Sequence, residues 1–75
     1  MTRMPALKAK EAVSILEKAG YSIDHITGSH YIMRHADYPQ RIPVPYHAKD
    51  IKRGVLHSII KQSGLSRENF LSLRS

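Results

Sequence analysis

Gly20-Tyr21-Ser22-Ile23-Asp24-His25-Ile26-Thr27-Gly28-Ser29-His30-Tyr31-Ile32-Met33-Arg34-His35 is the stretch in which the pattern of this 75-residue chain changes. Up to Gly20 the apolar residues follow a helical period. Beyond it Tyr21, Ile23, His25 and Thr27 alternate with Ser22, Asp24 and Ile26, the two-residue period of a strand half buried on one face. Gly28-Ser29 interrupts that run and suits a tight turn. His30–His35 is rich in strand formers and makes a second strand. A hairpin entered from a helix is therefore the nucleus of the fold.

Working outward toward the N-terminus, residues 7–20 predict the first helix. Ala12, Ile15, Leu16 and Ala19 fall at i, i+3, i+4 and i+7, with Val13 widening the stripe. Gly20 is suited to the left-handed position that ends a helix. No N-cap stands out, and residues 1–6 are expected to be a loose lead-in. Toward the C-terminus, residues 36–40 look like a connecting loop. Arg41-Ile42-Pro43-Val44-Pro45 makes a short third strand, placed at a sheet edge because its prolines cannot donate to a ladder. After a polar loop, a second helix is expected over residues 51–63, with Asp50 as its N-cap, Val55, Leu56, Ile59 and Ile60 as its apolar face and Gly64 as its stop. Ser66 then caps a short third helix carrying Phe70, Leu71 and Leu73. The expected order is α-β-β-β-α-α. This is a single α+β domain over residues 1–75, with a three-stranded antiparallel sheet and helices on one face, compatible with a double-stranded-RNA-binding type of fold.

Bulk properties narrow the function. A chain of this length buries only about 60–65% of its unfolded surface, so its core is thin. It has no cysteine, which removes disulfide staples and thiolate metal sites. No apolar run is long enough to span a bilayer and the N-terminus lacks signal-peptide character, so a cytoplasmic protein with no membrane association is expected. Twelve Lys and Arg against six Asp and Glu give a formal charge of +6. Between Arg41 and Arg67 lie six basic residues (Arg41, Lys49, Lys52, Arg53, Lys61, Arg67) and the single acid Asp50. Such a patch releases counterions from a phosphate backbone and points to nucleic acid, although basic balance is also compatible with plain solvation.

Four segments, in order, resemble the HicA toxin family: Glu17-Lys18-Ala19-Gly20-Tyr21, then Gly28-Ser29-His30 leading into its strand, then Ile42-Pro43-Val44-Pro45-Tyr46-His47, and last the basic run from Lys49 through Gly54 to Leu65. The resemblance covers about residues 8–66. It departs at Tyr31, where many members carry a second histidine, and at Val55, where many carry threonine. What it implies is a compact RNA-cleaving toxin, an mRNA interferase of a type II toxin–antitoxin system, masked by a HicB-type antitoxin. The histidine associated with cleavage maps onto His30.

Histidine suits that chemistry. A base that takes the ribose 2′-OH proton lets the oxygen attack the adjacent phosphorus, an acid then protonates the leaving 5′-oxygen, and imidazole can serve in either role near neutral pH without a cofactor. The RNA-contacting residues are expected to be Gly28 and Ser29 beside His30, Arg34 on the same strand face, and Lys49, Lys52 and Arg53 at the start of the second helix, where side-chain charge and the helix N-terminus both favour phosphate. Gly28 is expected to need a positive φ, and Gly54 to allow close backbone approach. Tyr31, Tyr38 and Tyr46 are candidates for stacking on bases. One histidine supplies one group only; His25, His35, His47 and His57 are candidates by type for the second, His35 ranking low because it faces away from His30 on an ideal strand. The five histidines show no metal-ligand spacing. A free monomer is expected. The competing readings are a non-catalytic RNA-binding module of the same fold, with His30 as a hydrogen-bonded turn residue, and a protein whose basic surface serves only an acidic partner.

Overall fold

The computed structural model describes residues 6–45 and 50–74. Its order is α1 (Ala9–Lys18), β1 (Tyr21–Ile26), β2 (His30–His35), β3 (Tyr38–Pro45), α2 (Arg53–Ser63) and α3 (Arg67–Ser72). The three strands form one antiparallel sheet with β2 in the centre. The sequence-based order and α+β class are those observed, and the arrangement is consistent with a double-stranded-RNA-binding type of domain.

Helix α1 buries Ala9, Ala12, Val13, Ile15 and Leu16 along one stripe. Its start is fixed by Glu11, whose carboxylate accepts the Lys8 N–H at 3.1 Å. This is half of a capping box, since a lysine ammonium at the cap position has nothing with which to accept. Leu7, just ahead of it, is fully buried, and its carbonyl accepts the N–H of Ile51 at 2.7 Å. That bond corrects the expected start of α2. Ile51 is a buried loop residue, the cap position is Lys52 rather than Asp50, and Asp50 sits exposed before it. The buried face of α2 is Leu56, Ile59, Ile60 and Ser63, while Val55 is partly exposed. Gly64 ends the helix at φ 78°. In α3 the Ser66 hydroxyl accepts from Asn69 N at 3.1 Å, and Phe70 is fully buried.

Both edge strands depart from expectation. Residues 36–37 alone form the β2–β3 turn, so β3 begins at Tyr38 and takes in residues expected to be loop. The β2–β3 register slips between Met33 and His35, beside Pro39, which has no N–H to offer. Strand β1 is exposed beyond Tyr21 rather than half buried. Its register slips as well: Ile23 pairs with Met33, but His25 pairs with Ile32, leaving Asp24 as the extra residue of a bulge.

That bulge decides which residues share a face. Along β2, Met33 is fully buried against the helices, as are Ile42 and Val44 on β3. His30, Ile32 and Arg34 alternate with Tyr31, Met33 and His35 and so lie on the opposite, open face. Without the bulge His25 would lie opposite Tyr31 on the helix side. With it, His25 stands opposite Ile32 on the open face.

Candidate active site

His30 is the first residue of β2, opposite Pro45 at the end of β3. It is aimed by the turn that precedes it, and the residue that organises the turn is Thr27. Thr27 N and Thr27 Oγ1 both donate to the His30 carbonyl, at 2.8 and 3.2 Å. The same hydroxyl oxygen accepts from His30 N at 2.9 Å and from Ser29 N at 3.4 Å. The His30 ring is tied to its neighbour through Ser29 Oγ, 2.9 Å from Nδ1. A hydroxyl can donate or accept, so either imidazole tautomer fits, and Nε2 is left for chemistry. Thr27 was not singled out from sequence. Its signal is local: a hydroxyl residue placed to bond backbone two and three residues on is a recurrent turn device.

Gly28, at the tip of the turn, does not have the expected positive φ; Gly20 and Gly64 are the only described glycines that do. A side chain at Gly28 would meet nothing within 4 Å, and the same is true of Gly54, which therefore permits no close approach among the described residues.

Arg34 lies on the open face with His30, but about 13 Å farther along β2 at the usual strand rise, and it is engaged elsewhere. Its Nε lies 3.9 Å from Asp24 Oδ1, and Arg41 Nε lies 3.7 Å from Asp24 Oδ2. The same Oδ2 bonds His25 Nδ1 at 2.8 Å. One carboxylate thus gathers two arginines and a histidine across all three strands. The His25 hydrogen bond is the main cause holding the Asp24 carboxyl below the usual range; partial burial opposes it, and the Arg41, His25 and Arg34 charges add to it.

Lys52 and Arg53 are exposed at the start of α2, where no acidic residue occupies the first turn. Lys49, Tyr46 and His47 lie outside the described residues. Tyr31 packs against the core, and Tyr38, 53% exposed, has its ring 4.6 Å from that of His35. His35 is occupied structurally, its Nδ1 accepting Asp37 N at 3.0 Å and its ring lying 4.9 Å from that of Tyr21. His57 is exposed on α2. Among the described residues no three His, Asp or Glu side chains converge on a metal-sized site, and no helix is long and apolar enough to cross a membrane.

A family model described as the HicA toxin of bacterial toxin–antitoxin systems matches residues 9–65. The chain belongs to the HicA toxin family. The match runs from the first residue of α1 to the residue after Gly64, so it takes in the Thr27–His30 turn, the whole sheet and the basic start of α2, and stops before α3. This HicA protein is thus, by family, the toxin side of a toxin–antitoxin pair. No curated protein matches the chain.

Proposed function

We propose that this HicA protein is an endoribonuclease that cleaves mRNA in the cytoplasm without a metal, with His30 as an acid–base group, and that a HicB-type antitoxin covers its active surface. The free toxin is proposed to be a monomeric single domain. The observation that carries the reading is the placement of His30. It is half-buried at the mouth of the open turn, held through its backbone by Thr27 and through its ring by Ser29, with Nε2 uncommitted in those bonds.

In this reading His30 takes or gives a proton while the ribose 2′-oxygen attacks the adjacent phosphorus. The P–O5′ bond breaks, leaving a 2′,3′-cyclic phosphate and a 5′-hydroxyl. Gly28 and Ser29 contribute a turn with no side chain at its tip and a polar edge beside the ring. Lys49, Lys52, Arg53 and Arg34 supply cations for the backbone on either side. The formal charge of +6 supports binding of the polyanion.

The test compares wild type with His30→Ala on an in vitro transcribed mRNA in EDTA. Wild type is expected to cut and leave cyclic-phosphate ends. His30→Ala is expected to bind RNA equally and lose about 100-fold or more in rate, the usual share of a positioned acid–base group. Binding without cutting by both proteins would instead make the chain an RNA-binding module.

A further inference from the structure

Transfer of RNA to its cyclic phosphate needs one group to remove the 2′-OH proton and another to protonate the departing 5′-oxygen, and the turn at His30 supplies one of them. We propose that His25, held by Asp24, is the second: a general acid on the open face of the sheet, paired across β1 and β2 with His30. The proposal rests on the RNA-cleaving reading given above.

The bulge at Asp24 is what brings the two histidines to one surface. His25 is the cross-strand partner of Ile32, and His30 is the next residue of β2 on that face. Diagonal neighbours of this kind stand about 7–8 Å apart. That interval accommodates a phosphodiester between two imidazoles, with half-buried Ile32 as the floor of the gap. His35 and Tyr31 lie on the helix-covered side, and His57 is on α2, so among the described histidines His25 alone joins His30 on this face.

The Asp24 contact defines the state of the His25 ring. A carboxylate only accepts, so the 2.8 Å bond requires a hydrogen on Nδ1 and turns Nε2 outward as the exchanging nitrogen. A negative charge against Nδ1 also balances a ring carrying both protons, the form that an acid must start from. Asp24 is in turn held between Arg34 and Arg41, which fix its orientation. The groups facing His25 are therefore Asp24 on its own strand, Arg34 and His30 on β2, and Arg41 on β3. At 57% side-chain exposure His25 has no part in the core.

The proton balance closes with no further reactant. His30 Nε2 receives the 2′-OH proton as the O2′–P bond forms, and His25 Nε2 gives its proton to O5′ as the P–O5′ bond breaks. Asp24 keeps its charge throughout and acts as a positioning residue.

The experiment maps one cleavage site on the mRNA and then uses a short RNA spanning it in two forms, one natural and one with a bridging 5′-sulfur at the scissile bond. A thiolate leaves without a proton, so loss of a general acid is repaired on the sulfur substrate and loss of a base is not. His25→Ala is expected to cut the natural RNA about 100-fold more slowly or worse, and the sulfur RNA within a few-fold of wild type. Its melting temperature should fall no further than that of Asp24→Asn, which loses the same hydrogen bond, and its affinity for an all-2′-deoxy analogue should stay within a few-fold of wild type. His30→Ala should be defective on both substrates. Asp24→Asn should slow cutting of the natural RNA and leave the sulfur RNA nearly unaffected, a split that a merely structural role would not produce. Wild-type rates for His25→Ala, or equal losses on both substrates, overturn the assignment while leaving the nuclease reading intact. Failure of wild type to cut either RNA overturns the nuclease reading and this inference with it.

Discussion

Thr27 and Gly20 are the two residues whose single atoms decide how His30 and the sheet are held. The Thr27 hydroxyl enters three of the bonds that close the turn. Thr27→Val keeps the shape and removes them. Because the site is exposed, stability should fall by only about 0.5–1.5 kcal/mol in urea unfolding. RNA cleavage should fall further, about tenfold, because His30 is no longer aimed. Thr27→Ser, which retains the hydroxyl, should recover most of both. Gly20 is constrained twice. It sits at φ +101°, and a Cβ there would come within 2.7 Å of His35 Nε2. Gly20→Ala is therefore expected to cost about 1–3 kcal/mol. Adding His35→Ala should relieve the steric part and leave the backbone part, so the double variant should melt higher than the sum of the two single losses indicates.

Elements whose residues bury one full stripe were legible in the sequence, and those shaped by a single missing N–H or one extra residue were not. Helix α1 declared itself through Ala12, Ile15, Leu16 and the stop at Gly20, and α3 through Ser66 and Phe70, because those signals are local and periodic. The β1 bulge was not legible, since Tyr21, Ile23, His25 and Thr27 alternate well enough for a regular strand. Only the pairing with β2 shows that the register slips at Asp24. For the same reason Gly28-Ser29-His30 marks His30 as the proposed acid–base group from sequence, while His25 is one of four candidate partners until the bulge places it on the same face. The start of α2 was misplaced because Asp50 is a good capping residue, whereas the observed start depends on burial of Ile51 against the distant Leu7 carbonyl. Helix α3 yields a prediction at this scale. It packs through Phe70 and is tied to α1 by Lys18 Nζ to the Leu73 carbonyl at 3.1 Å and by Arg74 to Glu11 at 3.2 Å. Phe70→Ala should cost about 3–5 kcal/mol, and Ser66→Ala about 1 kcal/mol through loss of the cap. Thermal melts monitored by circular dichroism would rank them; equal effects would mean that α3 does not depend on its core contact.

Charge operates over the whole molecule, and its arrangement makes binding and stability respond oppositely at Asp24. The carboxyl is held below its usual range when folded, so its contribution to stability is present above the ordinary carboxylate pKa of about 3.9 and is lost as pH falls through the folded value. Asp24→Asn should therefore flatten the acid side of the stability curve and leave little change once the pH is low enough to protonate the wild-type group too. At neutral pH the same carboxylate offsets part of the field of Arg34 and Arg41 on the open face. Its removal should strengthen binding of an uncleavable 2′-deoxy strand and steepen the fall of affinity with salt by about one counterion, while Lys52→Gln and Arg53→Gln should each make that fall shallower by about the same amount. Arg34→Gln should change it less, because Arg34 begins with a partner that the phosphate must displace, whereas the first turn of α2 offers Lys52 and Arg53 no acidic neighbour. Fluorescence anisotropy across a salt series measures all four slopes. A slope for Arg34→Gln as shallow as those of the α2 variants would show that RNA takes Arg34 from Asp24 without cost, and that the open face is built to surrender that ion pair on binding.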